Sequence, residues 1–251
     1  MSGRSNSKWL VFSPGRDGAE AGFSLVEMLV VISIAAILSL LASVGFQNVV
    51  GPVFNGQVSD IASTLARARA YAMANNTYVF VGIQELDASK SRTGAQTSGT
   101  GRVAVTVMAS QDGTRGYLTS SGSSTALNSL AVVSPLRVFD NLHIATGSGL
   151  SNLPNTSDSG SSYVAASAPS LTTFTWPPGA ASNYPAFGSN GTVIQFNPRG
   201  EAQIFASANS DCVFQWIEID LISTHGIKVS TANPATILVD GASGSVTIYR
   251  K

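Results

Sequence analysis

The sequence reads as an α+β protein: a long N-terminal α-helix, its first part apolar enough for a membrane, packed through its later part on a C-terminal antiparallel β-sheet domain. Three observations lead there. Residues 23–44 contain a single charge, Glu27, and no proline, and roughly 20 such residues span a bilayer core as a helix. In residues 60–74, Ile61, Leu65, Ala68 and Ala72 recur at spacings of four and three, which places them on one helix face. Beyond residue 76, β-branched and aromatic runs alternate with Gly-, Ser- and Asn-rich turns, the pattern of short strands. The chain thus divides into an N-terminal segment 1–22, a long helix 23–76 whose residues 23–44 are transmembrane, and a β-rich head 77–251.

Arg4, Lys8 and Arg16 precede the apolar run, and residues 44–59 carry no charge. By the positive-inside rule the N-terminus stays in the cytoplasm and the head lies across the membrane. A secretory signal core is shorter, ~7–15 residues, and ends in a small-residue cleavage site; this run has neither property. A plain anchor leaves Glu27 unexplained. A carboxylate in a membrane helix costs about 3 kcal/mol on insertion scales, and such residues are usually paired and functional. If the backbone is cut after Gly22, Phe23 supplies a new amine at the helix start. Glu27 of one chain can then pair with the amine of a neighbour, which satisfies the buried charge only on assembly and makes it a registration device.

The helix continues to about residue 76, with a break expected at Gly51-Pro52. Ser59 or Asp60 can cap the segment that follows, and Asn75-Asn76 can end it. Its apolar face is expected on the β domain, with Arg67 and Arg69 pointing elsewhere. Strands are expected at 77–83, 102–108, 136–139, 142–144, 192–196, 202–205, 214–222, 236–239 and 245–249. In 214–222, Trp216, Glu218 and Asp220 share one face and Ile217, Ile219 and Leu221 the other. Residues 84–101, 119–130 and 145–191 read as loops, the last long enough to be functional or partly disordered.

Composition narrows the chemistry. The first 22 residues hold three of the 14 basic and two of the 14 acidic side chains, so the remaining 229 residues carry 11 and 12, a net charge of −1. That balance gives no electrostatic case for nucleic acid. Cys212 is the only cysteine; it forms no intramolecular disulfide and reads as a small buried hydrophobe beside Val213 and Phe214. Only two histidines occur, His143 and His225. His143 is expected on an edge strand facing solvent and His225 in a turn. No nucleophile elbow, zinc-protease, Cys-x-x-Cys or phosphate-loop motif is present, and Asp211, Asp220 and Asp240 are too scattered for calcium. The expectation is a non-enzyme with no catalytic residue, no metal and no cofactor. A membrane-anchored hydrolase is the rival from the enzyme class. Arg199, Lys228, Arg250 and Lys251 are expected to be solvated charges.

Gly22-Phe23-Ser24-Leu25-Val26-Glu27 followed by the apolar run resembles the N-terminus of type IV pilins and type II secretion pseudopilins. The resemblance implies cleavage by a prepilin peptidase between Gly22 and Phe23, N-methylation of Phe23, and an assembly salt bridge from Glu27. Residues 1–22 are then a cleavable leader and residues 23–44 the filament core. Implied partners are other pilins or pseudopilins in a helical filament, the prepilin peptidase, an inner-membrane assembly platform, and the lipid bilayer before assembly. The implied location is a single pass in the inner membrane with the head periplasmic, then a pilus or pseudopilus. Many major pilins carry a proline where this chain has Val44. At the other end, Phe196, Pro198 and Gly200, a long apolar strand and a closing hairpin at Gly241 to Gly244 resemble the C-terminal domain of the GspH pseudopilin and FimT-type minor pilins. The loops 84–101 and 145–191 are longer than in that family. Some FimT-like minor pilins bind DNA through basic residues near the C-terminus, so a DNA-uptake role is the alternative.

Overall fold

The structure, a computed structural model, describes residues 24–47, 50–113, 115, 129–147, 150, 162–164, 172–178, 180–189, 191–204, 214–230 and 233–250. The chain divides into two compact units, Met1–Val49 and Val50–Lys251.

The first unit is helix α1 (Leu25–Gln47). The Met28 N–H donates to the Ser24 carbonyl at 3.1 Å. The Ser33 and Ser39 hydroxyls donate to the carbonyls of Leu29 and Ala35, at 2.7 and 2.8 Å, so their polarity is satisfied inside the helix. Leu25, Val26, residues 28–32, Ile34, Ile37 and Leu38 are all exposed. These positions surround the axis, so α1 is apolar on every side, as in helices that lie in a membrane or in a core built by other helices. Among the described residues no helix is long and apolar enough to cross a membrane. The side chains of α1 are described only to Ser39, short of the roughly 20 residues a span needs.

Helix α2 (Val50–Asn75) opens the second unit. A new helix opens next to the Gly51-Pro52 pair where a break was expected: α1 ends at Gln47, α2 starts at Val50, and Pro52 lies in its first turn, where a missing N–H removes no helical bond. Phe54, Val58, Ile61, Leu65, Ala68 and Ala72 form one stripe, none more than 4% exposed. Asn76 takes a left-handed φ of 48°, and the Thr77 N–H returns to the Ala72 carbonyl at 3.1 Å, the closing bond of a Schellman cap.

The strands follow as β1 (Val79–Asp87), β2 (Gly101–Ser110), β3 (Leu130–Asp140), β4 (Leu142–Ala145), β5 (Ser162–Val164), β6 (Gly191–Phe196), β7 (Ala202–Gln203), β8 (Trp216–His225), β9 (Lys228–Val229), β10 (Ala235–Asp240) and β11 (Val246–Arg250). One sheet has the order β3-β2-β1-β6-β7; the other runs β11-β10-β8-β4, with β5 and β9 also paired to β8. Named strands pair antiparallel, except β5 with β8. This is the α+β architecture read from the sequence. The segment expected as a strand at 136–139 is the end of the 11-residue β3. The expected loop at 84 begins later, because β1 runs to Asp87.

Alternation divides the first sheet between two cores. Val79, Val81 and Ile83, with Val103, Val105 and Val107, join the α2 stripe and Ile217, Ile219 and Leu221 of the second sheet. The positions between them, Phe80, Ala104, Met108 and Val193, lie in a second cluster with Phe174 and Phe187. Phe174 and Phe187 exchange both backbone hydrogen bonds, at 3.2 and 2.9 Å, and their rings stack with centroids 5.3 Å apart. Gly82 makes room for them, since a Cβ there would lie 2.6 Å from Phe174 and 2.7 Å from Phe187. Within the expected loop 145–191, Phe174, Trp176, Tyr184 and Phe187 are thus not free loop residues but cover the outer face of the first sheet. Most of 148–171, like most of 114–128, lies outside the described residues.

Candidate functional site

The N-terminal site rests on Glu27. It is the only charged residue of α1 and sits in its first turn, where a carboxylate interacts favourably with the helix dipole. It is exposed and has no ion-pair or hydrogen-bond partner among the described residues. Gly22 and Phe23, read as the cleavage and methylation positions, lie outside the described residues. The arrangement is a lone carboxylate at one end of a helix that is apolar all round, and it performs no chemistry by itself.

The C-terminal residues singled out in the sequence come together as a junction. Phe196 ends β6 and is fully buried in the main core. Pro198 lies in the turn after it, which the Asn197 side chain organises: its Oδ1 accepts from the Arg199 and Glu201 N–H groups at 2.9 and 3.0 Å. Gly200 has a φ of +88°, and a Cβ on it would lie 2.8 Å from Met73 Sδ of α2. The β10–β11 turn meets the same place: Ala202 N–H donates to the Gly241 carbonyl at 2.8 Å. A Cβ on Gly244 would lie 2.0 Å from the Gly200 carbonyl oxygen and 3.1 Å from Arg69 Cδ. The two glycine turns therefore meet backbone to backbone, and the Arg69 and Met73 side chains of α2 pack against them. Sequence reading found the glycines, but not that Arg69 lies across them.

His143 departs from expectation. It is on β4, the edge strand of its sheet as expected, but its Nδ1 lies 2.8 and 3.0 Å from the two Glu85 oxygens, so the ring is half-buried against Glu85 rather than facing solvent. Glu85 also accepts from Gly101 N–H at 2.9 Å and Ile144 N–H at 3.4 Å. One half-buried carboxylate thereby ties β1 of the first sheet to β4 of the second. His225 is exposed at the end of β8, before Gly226, so the two histidines do not converge. Cys212 and Lys251 lie outside the described residues. Arg199 pairs with Glu201 at 3.3 Å. Arg250 donates to the Asn55 carbonyl and the Ser59 hydroxyl at 3.3 Å each, and Lys228 is exposed on β9. These cations sit on separate elements.

Sequence reading missed one polar network. Arg102, at the start of β2, is 6% exposed. Its Nε donates to Asp140 Oδ1 at 2.7 Å and its Nη1 to Gln96 Oε1 at 2.9 Å and the Lys90 carbonyl at 3.2 Å; Arg92 donates to the other Asp140 oxygen. The network pins the 88–100 loop to the sheet. Burial acts to raise the Asp140 carboxyl pKa, but the hydrogen bonds from Arg102 and Arg92 and their charges outweigh it and hold it below the usual range. A depressed folded-state pKa contributes stability above the unfolded value, lost as pH falls through the folded value. Stability is therefore expected to decline as pH drops below about 4, and Asp140→Asn should flatten that decline. Asp140→Ala should cost about 2 kcal/mol by urea unfolding, less than for a fully buried pair because Asp140 is partly exposed.

Comparison with known proteins bears on the N-terminus. The prokaryotic N-terminal methylation motif matches residues 18–43, the stretch that contains Gly22, Phe23 and Glu27. The matched segment is of the prepilin type that type IV pilins and pseudopilins carry, and the match covers this N-terminal stretch alone. No characterised protein and no solved structure matches the chain.

Proposed function

On the premise of a prepilin-type N-terminus, we propose that this chain is a minor pilin or pseudopilin, a structural subunit of a type II secretion pseudopilus or a type IV pilus. The carrying observation is Glu27, the single charge on a helix apolar on every side, without a partner among the described residues. In this reading residues 1–22 are removed after Gly22, and the methylated Phe23 amine opens the helix. Glu27 pairs with the amine of a neighbour while the apolar helices bundle. A buried charge that is compensated only by another subunit favours the assembled state and fixes its register. The head, with its α2 stripe and double core, stays outside the bundle. The glycine junction at Gly200 and Gly244 supports a GspH- or FimT-like minor subunit. The test is to shear surface filaments from cells expressing a tagged chain. The subunit should co-purify with the filaments; recovery in the inner-membrane fraction alone would contradict the proposal.

A further inference from the structure

A groove of about 400 Å³ opens between α2 and the β2–β3 pair. It has a local cause. The β2–β3 register passes from Val105↔Arg137 to Val107↔Ser134, so β3 sets three residues against two and bulges. Pro135 lies in the bulge and has no N–H for either side of the strand. Buried Ala68 and Val107, with Val133, form an apolar floor. Arg67 and Arg137 line the same groove. The volume is at the small end of the ~300–1,000 Å³ of ligand sites, which suits a few side chains of a visiting segment.

The charges do not balance. Arg137 Nη2 donates to Asp60 at 2.8 Å, and its guanidinium carbon lies 5.4 Å from the Phe139 ring centre, so its orientation is held. Arg67 is exposed and has no ion-pair or hydrogen-bond partner among the described residues. Two guanidinium groups therefore line the groove with its apolar residues, and only Arg137 has a carboxylate partner among the described residues. A guanidinium fork matches a carboxylate in bidentate geometry.

We infer that this groove docks a short acidic segment of a partner polypeptide, a carboxylate held by Arg67 beside Arg137 and an aliphatic neighbour resting on Ala68, Val107 and Val133. β3 is the outermost strand of its sheet, yet the bulge and Pro135 interrupt its free ladder. The segment is therefore gripped by side chains rather than added as a strand. The inference concerns the head alone and does not rest on Glu27.

The test uses the full chain in non-ionic detergent and a fluorescent peptide alternating Leu and Glu, read by anisotropy against empty micelles. The Gln-for-Glu peptide is the control, and a labelled duplex oligonucleotide is the competing polyanion. The acidic peptide should bind about tenfold more tightly than its amide analogue, and added salt should weaken it. Arg67→Gln should cost about tenfold, and Arg67→Glu should remove the preference for acid. Both variants should keep the wild-type melting temperature, because Arg67 is exposed. Equal binding of the two peptides, no binding of either, or indifference to Arg67→Glu would overturn the inference. Arg67-dependent binding of the duplex without the peptide would overturn it in favour of nucleic acid.

Discussion

Glu27→Ala is expected to leave the chain in the inner membrane and to deplete it from filaments by about tenfold or more. The two effects separate because they depend on different balances. Before assembly, an unpaired carboxylate in an apolar helix costs about 3 kcal/mol on insertion scales, so removing it cannot impair insertion. After assembly, the same carboxylate would meet a neighbour's amine, and an ion pair away from water is strongly coupled to its partner. Losing it forfeits that attraction and leaves the neighbour's amine buried alone. Each ~1.4 kcal/mol so lost is a factor of ten in the bound fraction. The measurement is the ratio of subunit in sheared filaments to subunit in the inner membrane. A mutant ratio equal to wild type would remove the pairing role.

The second large effect is structural. Gly244→Ala should destabilise the head by about 3 kcal/mol or more, a fall of about 10 °C in melting temperature for a chain of this size. The added Cβ would lie 2.0 Å from the Gly200 carbonyl oxygen. That neighbour is backbone, so no rotamer change relieves the clash, and Gly200 is itself held by the Asn197 turn. The φ of +66° at Gly244 adds strain for any L side chain. Gly56→Ala is the matched control. Gly56 lies inside α2, a Cβ there would meet nothing within 4 Å, and the helix should gain about 1 kcal/mol. Circular dichroism melts of the two variants in detergent should move in opposite directions. A Gly244→Ala melt indistinguishable from wild type would show that the two turns do not touch.

The helices and most strands were legible because their signals are local. Ile61, Leu65, Ala68 and Ala72 mark the buried stripe of α2, which Phe54 and Val58 extend, and a single face decides where that helix packs. What stayed hidden was long-range. Nothing near Phe174 or Phe187 in the sequence says that they seal the far side of β1, since that depends on the missing side chain of Gly82. His143 looked solvent-facing because its partner Glu85 is 58 positions away. Nothing local marks Arg102, at the start of an expected strand, because Asp140 and the 88–100 loop reach it only in the fold. At the N-terminus the reverse holds: the motif is fully written in residues 22–27, while the partner proposed for Glu27 belongs to another molecule.

The measurement that bears most directly on the account is the intact mass and N-terminal sequence of the chain co-expressed with a prepilin peptidase, alongside Gly22→Ala. The account predicts a wild-type product that begins at N-methylated Phe23 and a mutant that keeps all 22 leader residues. A wild-type chain that remains uncut under the same conditions would contradict it, reduce residues 23–44 to a plain anchor, and move the search for function to the head.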